Sequence, residues 1–130
     1  MKTPMTEPSV PILKDLTFLY LAAGHLTDGE LVESELRVIA DKLRRWQPSH
    51  TRDRVGAILV ATMKEYKALE TNEARHEEVK VRLHRIKQSL TPDKQAHVIS
   101  DLVAISAADG RVKEGEERFI AVTAQVFGFE

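Results

Sequence analysis

The chain has 130 residues, no cysteine, and a formal net charge of −1 with 30% charged residues. That length makes one ordinary domain, able to bury roughly two thirds of the surface its unfolded form exposes. The missing cysteines exclude disulfides, thiolate zinc sites and cysteine nucleophiles and fit a reducing compartment, while the near-zero charge argues against a bulk nucleic-acid binder.

Residues 1–10 carry two of the five prolines and no apolar periodicity. They read as a flexible lead to a single domain over 11–130. With no apolar run behind Lys2, the lead is not a secretory signal. From Pro11, apolar residues recur at helical spacing as Ile12, Leu16, Leu19, Ala22, Ala23 and Leu26, until Gly29 interrupts. Lys14, Asp15 and Thr17 break this stretch, whereas a membrane span needs about 20 mostly apolar residues. Any membrane link therefore comes through a partner.

A second stripe runs Val32, Leu36, Ile39, Ala40, Leu43 and ends at Arg44-Arg45-Trp46, where basic residues suit a helix C-terminus. Thr51 caps a third helix with Val55, Ile58, Leu59, Met63, Tyr66 and Leu69 on one face. Residues 73–89 form a very polar helix with a thin stripe of Val79, Leu83 and Ile86. Thr91-Pro92-Asp93 combines a cap, a proline at the first helical position and an early acid. The helix it opens, 92–108, is apolar nearly all round and is expected to be the central, buried one. A last helix carries Phe119, Ile120 and Phe127 and exits at Gly128-Phe129, glycine followed by an apolar residue that folds back. No stretch alternates at period two. The expectation is an all-α, single-domain bundle of five to seven helices.

An internal repeat organises these helices. Asp28-Gly29-Glu30-Leu31-Val32-Glu33-Ser34-Glu35 matches Asp109-Gly110-Arg111-Val112-Lys113-Glu114-Gly115-Glu116, 81 residues on. The same register pairs Arg37 with Arg118, Ile39 with Ile120, Ala40 with Ala121 and Leu21 with Leu102. This reads as two helix–loop–helix units. Gly29 and Gly110 fit a left-handed turn after a helix, and Leu31 and Val112 would plug each loop into the core. Glu33–Arg37 and Glu114–Arg118 are i,i+4 pairs with glutamate first, the favourable order. Glu35 and Glu116 precede apolar residues by three and four positions, so they lie near the inner face of their helices and can point back at the loop. Two explanations stay open. The acids cap orphan N–H groups at helix N-termini, or Asp28 with Glu35, and Asp109 with Glu116, converge on a hard divalent cation, calcium or magnesium, with Glu33 and Glu114 in reserve. Asp-Gly-x-[Leu/Val]-x-x-x-Glu reproduces the second half of an EF-hand loop. The first half is absent, because Gly24 and Leu26, or Ile105 and Ala107, stand where aspartates would be.

The segment Leu102 to Glu117, through Ala124-Gln-Val-Phe-Gly-Phe, resembles the TerB-like (tellurite resistance protein B-like) family: an apolar helix ending in Ala-x-Asp-Gly, a glutamate beyond it, and a short apolar helix ending in Gly-apolar. The resemblance spans about residues 12–129. The first motif departs from it, with His25-Leu26-Thr27 where small residues are usual. The resemblance implies an all-α bacterial module without enzymatic activity, cytoplasmic or held peripherally at the inner membrane by protein partners. It also implies a role in tellurite resistance or wider stress response, and divalent-metal binding at Asp28, Glu35, Asp109 and Glu116.

Other constellations carry less. Glu73-x-x-His76 is one Glu-x-x-His element, where di-iron bundles need two and further glutamates. Lys42, Arg44, Arg45, His50, Arg52 and Arg54 surround Trp46, a pattern that binds nucleic-acid backbone in some proteins but that helix-end charge and an anchoring tryptophan explain equally well. The alternatives to a metal-binding scaffold are thus a protein-interaction or regulatory domain whose acids are only caps, and a weak nucleic-acid binder through the Lys42–Arg54 stretch.

Overall fold

The computed structural model describes residues 8–28, 33–109 and 114–129, except for the side chains of 26–28 and 109. The flexible lead falls mostly outside the described residues, as do Gly29, Gly110, Leu31 and Val112.

Among the described residues the chain forms six α-helices and no strand: α1 Val10–Asp28, α2 Glu33–Trp46, α3 Arg52–Ala68, α4 Asn72–Ser89, α5 Pro92–Ser106 and α6 Glu114–Phe127, with a 3-10 turn over Ala107–Asp109 between the last two. Local chemistry sets the boundaries. The hydroxyls of Thr51, Thr71 and Thr91 accept from the backbone N–H groups of Arg54, Ala74 and Lys94, so each threonine takes one orphan donor at the start of α3, α4 or α5. Ser9 does the same for α1, accepting from Ile12 at 3.4 Å, so that helix starts just ahead of Pro11. At the other end Gly128 adopts φ +90°, Phe129 N–H donates to Ala124 C=O at 2.8 Å and Gly128 N–H to Gln125 C=O at 3.0 Å. These are the two bonds of a Schellman motif, and the Phe129 ring folds back edge-on to Phe127.

The expectation that helix 92–108 is central is corrected. The central helix is α1, which packs against all five other helices. Leu13, Leu16, Phe18, Leu19, Tyr20, Leu21 and Ala22 are fully buried. The single stripe seen in the sequence covers only part of α1; Phe18, Tyr20 and Leu21 fill its remaining faces. By contrast α5 buries Val98, Leu102 and Ile105 and leaves Val103 45% exposed. It is an amphipathic outer helix, ending at Ser106 where the chain tightens into the 3-10 turn.

The cost of burying Asp15 within α1 is met by two arginines of α4. Arg85 grips it through both carboxylate oxygens at 3.0 and 2.8 Å, and Arg82 lies 3.4 Å away. Arg82 also reaches Glu78 at 2.8 Å and Glu65 of α3 at 3.2 Å, and stacks over Phe18. Lys14 pairs with Glu65 as well. The network joins α1, α3 and α4.

Candidate acidic site at the two Asp-Gly motifs

The element boundaries follow the register of the repeat: α2 and α6 both run 14 residues, from Glu33 to Trp46 and from Glu114 to Phe127. Asp28 closes α1 and Asp109 closes the 3-10 turn, so both aspartates stand where a helical segment stops; their side chains lie outside the described residues. Five residues after each aspartate, by the same register, α2 and α6 open on Glu33 and Glu114, and Glu35 and Glu116 follow two residues further on.

Those glutamates divide into two kinds. Glu33 and Glu114, the reserve acids, are the first residues of their helices and face solvent, 78% and 89% exposed. Each is taken up by its i,i+4 arginine, Arg37 at 2.8 Å and Arg118 at 3.4 Å. Glu35 and Glu116, two residues further on, turn inward and are each 1% exposed. A helix advances 100° per residue, so two residues suffice to swing a side chain to the opposite face. Among the described residues no three metal-ligating side chains cluster. The inner acids stand in the first turns of α2 and α6, where the N-terminal N–H groups favour negative charge. In addition α2 packs on the 3-10 turn that carries Asp109, so the helix of the first motif lies beside the turn of the second.

Residues 25–130 match the family model described as Tellurite resistance protein TerB, which takes in both Asp-Gly motifs and every helix after α1. The chain belongs to the TerB family. No curated protein matches it. Among solved structures it is similar to a protein of unknown function from Porphyromonas gingivalis W83, with a TM-score of 0.71 and 16% identity, covering 100% of this chain and 86% of that one. At that identity the likeness concerns the fold.

This TerB-family domain also holds a buried polar cluster that the sequence reading missed. Tyr20 O–H donates to Asp101 Oδ2 at 2.7 Å, and Trp46 Nε1–H donates to the same oxygen at 2.8 Å. Trp46 lies 3.1 Å from the Tyr20 hydroxyl as well. His97 stands 3.6 Å from the other carboxylate oxygen and edge-on to the indole. The signal was available: Tyr20 and Asp101 are 81 residues apart, the repeat offset. A residue that touches its own counterpart sits where the two units meet. Trp46 and its counterpart Phe127 each close a helix and are buried. Because the Trp46 indole lies inside and its N–H is committed to Asp101, it offers no stacking platform to a nucleic acid. Arg44, Arg45, Arg52 and Arg54 are exposed at the end of α2 and the start of α3.

The chain's two tyrosines are both held off their usual ionisation. Burial, and then the Asp101 charge, push Tyr20 well above 10. Burial pushes Tyr66 up to about 12, against the lowering effect of Arg75; its hydroxyl lies 2.7 Å from His25 Nδ1. A raised folded pKa means stabilisation that is complete below the unfolded value near 10 and lost as pH climbs towards 12. We therefore expect absorbance at 295 nm to show no step at pH 10 in the folded protein. The tyrosinate signal should rise only above that, together with loss of helical circular dichroism. A full two-tyrosine step at pH 10 with helicity intact would contradict the packing of both rings.

Proposed function

We propose that this chain is a non-enzymatic, cytoplasmic binding module of the tellurite-resistance and stress response. In this reading it takes up a divalent cation, calcium or magnesium, at its Asp-Gly motifs and presents the result to a protein partner. The observation that carries the reading is the burial of Glu35 and Glu116, each 1% exposed at matching positions in the first turns of α2 and α6. A carboxylate taken out of water needs strong compensation. A helix N-terminus supplies part of it, and a cation shared with Asp28 or Asp109 would supply more while drawing in the loop carbonyls that hard cations favour. The outward-facing Glu33 and Glu114 stay outside this ligand set. Among the described residues no helix is long and apolar enough to cross a membrane, so attachment to a membrane would run through the partner.

The test is thermal unfolding of the metal-stripped protein with added calcium, magnesium, manganese or zinc, beside the double variant Asp109→Asn/Glu116→Gln. A ligand present at one hundred times its dissociation constant stabilises a fold by about 2.7 kcal/mol, a rise of several degrees. A metal-specific rise that the variant loses is the expected result. No shift with any of the four metals would reduce the acids to helix caps.

A further inference from the structure

A groove of about 600 Å³ runs between α4 and α6, with Gly115 and Arg118 from the first turns of α6 among its lining. Val79 and Leu83 of α4 form its floor and are buried. Phe119 and Val126 of α6 flank it, and Val122 stands 50% exposed along its wall. The four lining side chains that can carry charge are all basic: His76, Lys80, His84 and Arg118. Three of them are spaced at i, i+4 and i+8 along α4, which sets them about 12 Å apart end to end at 1.5 Å per residue.

We infer that this groove docks an acidic amphipathic helix of a protein partner. An inserted helix presents apolar anchors at i, i+3 or i+4, and i+7, a span of about 10.5 Å that fits the length between His76 and His84. The apolar floor takes the anchors. Glutamates at four-residue spacing on the helix flank meet the row of bases at the same pitch. Lys80 now pairs with Glu77 at 3.2 Å and Arg118 with Glu114 at 3.4 Å, but these side chains are 66–89% exposed. Ion pairs so exposed contribute little, so the two cations can change partners at small cost. The inference does not rest on cation binding at the Asp-Gly motifs.

The experiment follows backbone amide resonances of the whole chain, in chelator, during titration with an 18-residue helical peptide. The peptide carries leucines at i, i+3, i+4 and i+7 and glutamates on both flanks, and a second version has lysines for the glutamates. Shifts confined to α4 and α6 with the acidic peptide, and at least tenfold weaker binding of the basic one, are expected. Lys80→Glu/Arg118→Glu should weaken the acidic peptide tenfold or more, and Val122→Asp should abolish binding. The melting temperature of each variant should stay unchanged, because these side chains are exposed. The inference is overturned by no shift on α4 and α6 at millimolar peptide, by equal binding of both peptides, or by Val122→Asp binding as tightly as wild type. It is also overturned if dodecanoate fills the groove in the peptide's place, or if sedimentation shows a dimer that Val122→Asp dissolves. Because chelator is present throughout, failure here leaves the metal test untouched, and the reverse also holds.

Discussion

Replacing Asp101 with alanine is expected to cost about 3 kcal/mol of folding stability, read as a fall in the urea midpoint without a change in slope. Two buried donors meet on one carboxylate oxygen, the Tyr20 hydroxyl and the Trp46 indole N–H. Without Asp101 the indole can still donate to the Tyr20 oxygen, 3.1 Å away, but the tyrosine hydrogen loses its acceptor in a site with no water access. A stranded buried donor costs about 1–3 kcal/mol, and the space left by the carboxylate adds to it. Asp101→Asn should cost less, since its amide oxygen still accepts. Tyr20→Phe should cost less again, about 1 kcal/mol, because it removes a donor rather than abandoning one. Trp46 is the chain's one tryptophan, so its fluorescence reports this site alone. Its emission should shift in Asp101→Ala and hold in Tyr20→Phe. An Asp101→Ala protein within 0.5 kcal/mol of wild type would remove this cluster from the account of how the two repeat units are joined.

The double replacement Arg82→Ala/Arg85→Ala is expected to destabilise by about 3–5 kcal/mol, the usual penalty for leaving a buried charge without its partner. Asp15 is 3% exposed at its side chain and sits inside the central helix. Either arginine alone leaves it one cation, Arg85 at 2.8 Å or Arg82 at 3.4 Å. Arg85→Ala should therefore cost about 1 kcal/mol or less, Arg85 being half exposed. The double variant should exceed the sum of the singles, since only there is Asp15 stranded. Adding Asp15→Leu to that double variant should recover part of the loss, because an apolar side chain suits the apolar surroundings of α1. Denaturant unfolding of the five proteins decides the matter. Strict additivity, or no recovery with Asp15→Leu, would show that Asp15 is not held by these two cations.

These expectations share a pattern. Both target charges within helices that the sequence presents as apolar stripes, and both depend on contacts between residues 55–81 positions apart. Helix existence and limits were legible because their causes are local. Thr51 and Thr91 bond N–H groups three residues away, and Gly128 takes its left-handed turn where the notation of the chain, glycine then phenylalanine, announces it. The inward turn of Glu35 and Glu116 was legible for the same reason: a helix fixes the angle between a residue and its apolar neighbours three and four places on. So was the outward pairing of Glu33 with Arg37 and Glu114 with Arg118.

By itself, then, the amino-acid order displayed the repeat and determined the helices, the caps at Thr51 and Thr91 and the faces on which Glu33, Glu35, Glu114 and Glu116 stand, since helices, caps and faces follow from backbone geometry within a few residues. Which helix is central was decided only by tertiary packing. Both α1 and α5 are rich in apolar residues, and α1 took the middle because its apolar side chains cover every face, while α5 carries Asp93, His97 and Ser100 on the exposed face that Val103 shares. Tertiary structure alone likewise carried Trp46 inward to Asp101, set Arg82 and Arg85 on Asp15, and opened the basic-rimmed groove between α4 and α6. Such pairings depend on how rigid helices cross, and that is fixed by the complementarity of whole surfaces rather than by any local run of residues.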